Sequence, residues 1–239
     1  MNTSISLIGI PTDQHSSFLR GPAGAPAAIR AALASPHGNS ATERGTEIGL
    51  DFELTDRGDV AISEDTGDDD RIRAAIAACP GPLIALGGDH SISFPVVETL
   101  ARRHGAFDIL HFDAHPDLYD ELDGNRRSHA SPFARIMEGG HARRLVQVGI
   151  RTCFNGERTH GMTVLHADRV HAMPAAEVAE VIRRVVGAGP AYLTFDIDCL
   201  DPSTAPGTGT PVPGGLTSFQ ALSILRAMKG MDFVGMDVV

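Results

Sequence analysis

Six residues in three short segments concentrate the chemistry of this 239-residue chain. Asp113, His115 and Asp117 alternate in Asp113-Ala114-His115-Pro116-Asp117, and Asp196 and Asp198 alternate in Asp196-Ile197-Asp198. In an extended chain, residues two apart project to one face, so each segment aims its polar groups at a common volume. Four carboxylates converging there repel one another unless a cation holds them, because unpaired buried charge costs several kcal/mol. His90, in Gly87-Gly88-Asp89-His90-Ser91, completes a donor set of four carboxylates and two imidazoles without a thiolate. Such a set suits hard or borderline divalent ions, and six side chains suit two ions roughly 3.5–4 Å apart if a carboxylate bridges them. The expected cofactor is therefore a pair of Mn²⁺ ions per chain, with Ni, Co and Fe open by the same ligand logic.

Strand-like apolar runs that alternate with helix-period segments must position these groups. Strands are expected at Ile5–Ile10, Leu83–Leu86, Asp108–Asp113, Leu145–Ile150, Tyr192–Asp198 and Phe233–Val239. Helices are expected from Pro26 through Leu33 and near Pro95–His104, Pro132–Glu138, Ala175–Val186 and Ser218–Met228. The rhythm predicts an α/β fold, a mostly parallel sheet with helices on both faces, as one domain over residues 1–239. All three polar segments then fall just beyond strand ends, where open parallel sheets bind ligands. The acidic stretch Glu64–Asp70 reads as a solvated loop running into a helix start.

The same segments resemble the ureohydrolase family, which includes arginases and agmatinases. The matching runs are GGDHS at Gly87–Ser91, DAHPD at Asp113–Asp117, SHASPFARI at Ser128–Ile136 and FDIDCLDPSTAPGTGTPVPGGL at Phe195–Leu216. HSSFLRGPAGAPAAIR, from His15 to Arg30, extends the likeness over nearly the whole chain, and DAHPDLYDELDGN looks closest to the branch of plant-type arginases and related agmatinases. The resemblance implies a three-layer α/β/α fold and hydrolysis of a guanidino compound. It implies one ion on His90, Asp113, Asp117 and Asp196, and the other on His115, Asp113, Asp196 and Asp198. A hydroxide shared by the ions would attack the guanidinium carbon, and His129 would handle the proton of the leaving amine. A trimer or hexamer of the chain is the implied assembly. Relatives continue past the last strand with a glutamate that grips the guanidinium and with further helical sequence, so a shortened C-terminus is expected after Val239.

Agmatine, hydrolysed to putrescine and urea, is the expected substrate, with arginine or another guanidino acid as the alternative. Arg126 and Arg127 in the loop Leu118–Arg127 could meet a carboxylate, whereas Asp120, Glu121 and Asp123 would favour an amine. A binuclear phosphoesterase would want cationic groups near the ligand segments, and a metal-binding but inactive partner subunit is the reading from another class. Thirty acidic against twenty basic residues, a formal charge of −10, disfavour a nucleic-acid partner and suit a cationic small molecule. No apolar run approaches the roughly 20 residues of a membrane span, and the N-terminus lacks the pattern of a secretory signal, so neither a membrane nor export is expected and the cytoplasm is the expected compartment.

Other residues read as structural. Cys79, Cys153 and Cys199 form no C-x-x-C pair and are expected to be reduced thiols, Cys199 a buried one. His15, His37, His104, His141, His160, His166 and His171 read as structural histidines. His111 reads as a packed, hydrogen-bonded core histidine and not as a seventh ligand. Asp201 reads equally as a group that orients its neighbours or contacts the substrate and as a helix-cap or turn residue before Pro202, and it is left out of the catalytic set; Pro206–Gly215 reads either as a shaped active-site loop or as a structural turn.

Overall fold

The computed structural model describes residues 3–152 and 161–239. Cys153 and His160 lie outside the described residues. Eight strands, β1 (Thr3–Ile10), β2 (Phe52–Asp59), β3 (Leu83–Gly87), β4 (Phe107–Phe112), β5 (Ala142–Ile150), β6 (Thr163–His166), β7 (Ala191–Phe195) and β8 (Phe233–Val238), form one sheet. Every pairing is parallel, in the order β2-β1-β3-β8-β7-β4-β5-β6. Among the described residues seven α-helices accompany them: α1 (Ala25–Leu33), α2 (Asp68–Ala78), α3 (Ser93–His104), α4 (Pro132–Glu138), α5 (Ala167–His171), α6 (Ala175–Val186) and α7 (Ser218–Ala227).

Helices cover both faces because the central strands are apolar on both. Ile76 of α2, Val97 and Leu100 of α3 and Phe133 of α4 pack on Ile8, Leu83, Ile109 and Leu145. On the opposite face Val170 of α5, Ile182 of α6 and Ile224 of α7 pack on Leu110, Phe112, Val146 and Val148. Each such side chain contributes about 1.5–3 kcal/mol on full burial. All six residues of β4 are buried, and its one carboxylate at the entry, Asp108, is neutralised by Arg143 and Arg144.

Two strands escape the sequence expectations, and both are edges. The charge-rich run Phe-Glu-Leu-Thr-Asp-Arg-Gly-Asp of β2 is largely exposed, and β6 spans four residues. Charged side chains and short length are how sheets blunt an unpaired edge, so these strands lack the apolar signature of the centre. The acidic stretch is also more than a solvated loop. Asp68 is 2 % exposed and holds Arg71 and the Ser63 amide, while Asp69 takes the guanidinium of Arg127 in a bidentate pair at 2.6 and 2.8 Å.

The connections create the crevice. After β3 the chain skips two positions before laying down β4, and β8 and β7 later fill the gap. Loops leaving β3 and β4 therefore diverge around the tops of the two inserted strands, the usual ligand position in open parallel sheets. The loop after β3 also crosses the loop after β1 at very close range. A Cβ on Gly88 would stand 1.9 Å from the Thr12 carbonyl oxygen, which a backbone atom cannot yield without displacing its loop. Gly88→Ala is accordingly expected to cost at least about 1–3 kcal/mol as overpacking. The check is a thermal melt, which should fall by about 2–4 °C for each kcal/mol lost; an unchanged melt would show that the crossing is not tight.

Candidate metal centre

β4 and β7 stop one residue before the segments expected to carry their donors. Simple strand alternation is thus not what gathers Asp113, His115 and Asp117. Instead the chain leaves β4 through a loop in which Asp117 adopts the left-handed φ of 48°, and it leaves β7 through a 3₁₀ turn at Ile197–Cys199. A second such turn, His90–Ile92, follows β3 and is capped by Asp89. Aspartate tolerates the left-handed region better than most residues, which reconciles the Asp117 geometry with its type.

All six expected donors converge. His90 Nδ1 stands 3.0 Å from Asp113 Oδ2, 3.0 Å from Asp117 Oδ2 and 3.3 Å from Asp196 Oδ2. His115 Nδ1 stands 3.3 Å from Asp113 Oδ1 and 3.0 Å from Asp198 Oδ2. Asp113 presents one oxygen to each imidazole, as a bridging carboxylate would. Backbone holds the far oxygens of Asp198 and Asp196, the Ala114 amide donating to Asp198 Oδ1 at 3.1 Å and the Asp198 amide to Asp196 Oδ1 at 2.8 Å, and the His115 amide also donates to Asp113 Oδ1 at 2.6 Å. Two overlapping sets, His90 with His111, Asp113 and Asp117, and Asp113 with His115 and Asp198, each keep their donor atoms within 4.8 Å.

The charge distribution fits a cation. His90 Nδ1 is buried among three carboxylate oxygens and makes no aligned hydrogen bond, so it is an unsatisfied ligand atom that a cation would fit. Burial disfavours the charged His90 ring, but Asp113, Asp117 and Asp196 outweigh it and raise its pKa well above the usual histidine range. Burial likewise opposes protonation of His115, and hydrogen bonds to Asp113 and Asp198 nonetheless push it up to about 11. Burial and the Asp113 charge raise Asp196, and burial with Asp196 and Asp113 raises Asp198. Oxygen donors with two imidazoles are the chemistry of a divalent-ion pair.

A cavity of about 910 Å³ opens above the donors and includes Ser17, Phe18, Tyr119, His129 and Gly207–Thr210 in its wall. His129 thus shares the cavity with the donors; its Nε2 lies 2.7 Å from Ser17 Oγ, and its amide donates to the His15 carbonyl. Sequence reasoning did not find what pins this wall. Asp89 accepts from the His15 amide and Ser16 Oγ, and Asp13 accepts from Arg20 and the Gly21 and Ala23 amides. Arg151 donates to the carbonyls of Gly149, Asp198, Cys199, Leu200 and Val212, tying the turn after β7 to the glycine-rich loop. An isolated arginine directly after an apolar strand was the available signal. Asp201 serves the turn, accepting from Ser203, Gly214 and Gly215. Cys199 is a buried free thiol whose pKa burial and the neighbouring carboxylates raise, so it is inert as a nucleophile.

The loop arginines are not available to a substrate carboxylate as expected. Arg126 pairs with Asp120 and Glu138, and Arg127 pairs with Asp69 while its guanidinium lies 4.9 Å from the Phe94 ring centre. Asp120 is in turn committed to Arg126 and Arg135.

The sequence model of the arginase family matches residues 3–239. The chain belongs to the arginase family. Arginase-family members act on C–N bonds of guanidino groups, and this chain is a hydrolase of that type. It is 46% identical to the mitochondrial arginase of Medicago truncatula over 98% of this chain and 73% of that one. It is 38% identical to the agmatinase of Edwardsiella ictaluri over 98% of this chain and 78% of that one. Among solved structures, a hypothetical agmatinase from Burkholderia thailandensis superposes with a TM-score of 0.92 at 35% identity, covering 99% of this chain and 77% of that one. The expected cytoplasmic location does not stand, because plant arginases that this chain resembles are named mitochondrial or chloroplastic/mitochondrial. The expectation rested on the lack of a secretory or membrane segment, which bears on export and insertion and not on organelle import.

Because a cation must displace the protons held by His115 and its partners, affinity for Mn²⁺ should rise from about pH 6 to about pH 9, with proton release on binding. Titration calorimetry in buffers of different ionisation enthalpy measures both. Affinity independent of pH, with no protons released, would contradict the assignment of His115 to the centre.

Proposed function

We propose that the chain hydrolyses the guanidinium group of a small amine, agmatine first, using a pair of Mn²⁺ ions. His90, Asp113, Asp117 and Asp196 would hold one ion, and His115, Asp113, Asp196 and Asp198 the other. The carrying observation is the lack, among the described residues, of a free cation for an α-carboxylate in the cavity wall. Arg20, its one Lys or Arg among them, is clamped between Asp13 and Glu64, and the charges of Asp117, Asp196 and Asp198 would be taken up by the ions they hold. An aliphatic stem ending in an amine needs no such cation.

Two divalent ions, when bound, supply a water that gives up its proton near neutral pH. The chain does the rest. The wall formed by Phe18, Tyr119 and Gly207–Thr210 limits bulk water around the guanidinium, and His129 delivers a proton to the departing nitrogen. Water and the guanidinium ion are thereby converted into urea and a protonated amine, balanced in atoms and charge. Arginine is the second reading, favoured by the greater identity to the Medicago truncatula arginase than to the Edwardsiella ictaluri agmatinase.

The test is product release by Mn²⁺-loaded protein from agmatine, arginine, guanidinobutyrate and formiminoglutamate. The proposal expects urea from agmatine at the highest kcat/KM and a loss of about 100-fold or more in kcat on His129→Ala. Selective urea release from arginine would replace the substrate, and no product from any of the four with two ions bound would overturn the hydrolytic reading.

A further inference from the structure

Below the donors lies a row of polar side chains that neither the family resemblance nor the donor set accounts for. Gln147 of β5, His111 of β4, Thr194 of β7 and Asp237 of β8 are register partners on four adjacent strands. All four are fully buried. Strands at the centre of a parallel sheet are ordinarily apolar on both faces, so four polar residues at one level call for a physical reason.

Two members of the row touch candidate ion-holding residues. His111 Nε2 lies 2.7 Å from Asp113 Oδ2, and Thr194 Oγ1 lies 2.8 Å from His90 Nε2. Gln147 Nε2 lies 2.7 Å from the Pro116 carbonyl oxygen and 2.9 Å from His111 Nδ1. The chemistry fixes each polarity. A carbonyl only accepts, so the group of Gln147 beside Pro116 is its NH₂, and the second N–H of that group is donated to His111 Nδ1. His111 Nδ1 is then the bare nitrogen, and Nε2 carries the proton given to Asp113. The reversed amide would set two acceptors against each other at the Pro116 contact.

We propose that the Gln147–His111–Thr194 row is the positioning layer of the metal centre: it fixes the tautomers of His111 and His90 and the plane of the Asp113 carboxylate. His111 is then a strut and not a ligand. Its Nε2–H and the His115 amide restrain the two oxygens of Asp113 from behind, leaving one oxygen directed at His90 and the other at His115. Thr194 accepts the Nε2 proton of His90 and leaves Nδ1 bare toward the three carboxylates. Phe133 packs against both rings, at 4.0 Å from the His111 ring centre and 5.2 Å from that of His90. Partners that orient ligating groups in this way typically change metal affinity by about 10–100-fold when removed.

The inference rests on the proposal that Asp113 and His90 hold the ions. Its test is Mn²⁺ binding by calorimetry for the full chain and for His111→Phe, Gln147→Leu and Thr194→Val, with His115→Ala as the comparison, alongside long-range proton–nitrogen spectra of the Zn²⁺-loaded protein. The expected result is two ions per chain in all three row variants, bound about 10–100-fold more weakly, with His111 protonated at Nε2 and bare at Nδ1 in the unaltered chain. Unchanged affinity in the row variants, or a His111 protonated at Nδ1, overturns the inference. Loss of one whole ion in His111→Phe also overturns it, by making His111 a ligand. Gln147→Leu retains the histidine ring and its packing on Phe133, so it decides the matter if His111→Phe fails to fold. His115→Ala separates the two levels. An ion lost there, with the row variants binding normally, removes only the positioning layer; two ions retained there removes the metal-centre reading itself.

Discussion

Repulsion among four carboxylates gathered at the top of one sheet is the constraint around which the rest of the structure is arranged. Asp113, Asp117, Asp196 and Asp198 stand within reach of two imidazoles in a part-buried crevice, where water screens their charges less than it would at the surface. The chain answers with oriented dipoles. Backbone amides of Ala114 and Asp198 take the rear oxygens of Asp198 and Asp196, the His115 amide steadies Asp113 Oδ1, and the front oxygens are left to a common volume. Hydrogen bonds to Asp113 and Asp198 raise the proton affinity of His115 against its burial, and burial with the Asp196 and Asp113 charges raises that of Asp198, so a cation held there would compete with protons for the same atoms.

Sheet topology supplies the place for this arrangement. Inserting β8 and β7 between β3 and β4 separates the loops that bear His90 and Asp113 while keeping both over the same strand ends. Around that crevice the fold spends several charged groups on scaffolding alone. Asp13 and Asp89 pin the loop that brings Ser17 to His129, and Arg151 gathers carbonyls from three segments. None of these side chains needs to meet a substrate to matter for the shape of the cavity.

Much of this was legible in the sequence, for reasons that differ by residue. Central strands such as β4 and β5 are written as apolar runs because both faces are buried, and the six donors stand out as polar residues clustered just after such runs. The six side chains do lie together, but not by the route that strand alternation suggests. Alternation in an extended strand would have aligned Asp113, His115 and Asp117, whereas the observed loop does so through the left-handed conformation at Asp117. Local pattern does not encode that conformation in an aspartate. β2 was hidden by its charges, since an edge strand and a solvated loop share a composition. Arg126 and Arg127 misled for a related reason: a sequence shows that a cation is present but not that Asp120, Glu138 and Asp69 have already claimed it. Gln147 and Thr194 left a faint mark, each a single polar residue inside an apolar run, and only the strand register shows them to be neighbours of His111.

A crevice that holds two cations sharing Asp113 would reveal them in anomalous diffraction from crystals of the Mn²⁺-loaded chain. Two anomalous peaks are expected there, one beside His90 Nδ1 and one beside His115 Nδ1, with Asp113 facing both. A single peak, or peaks away from these two nitrogens, would rule the shared pair out.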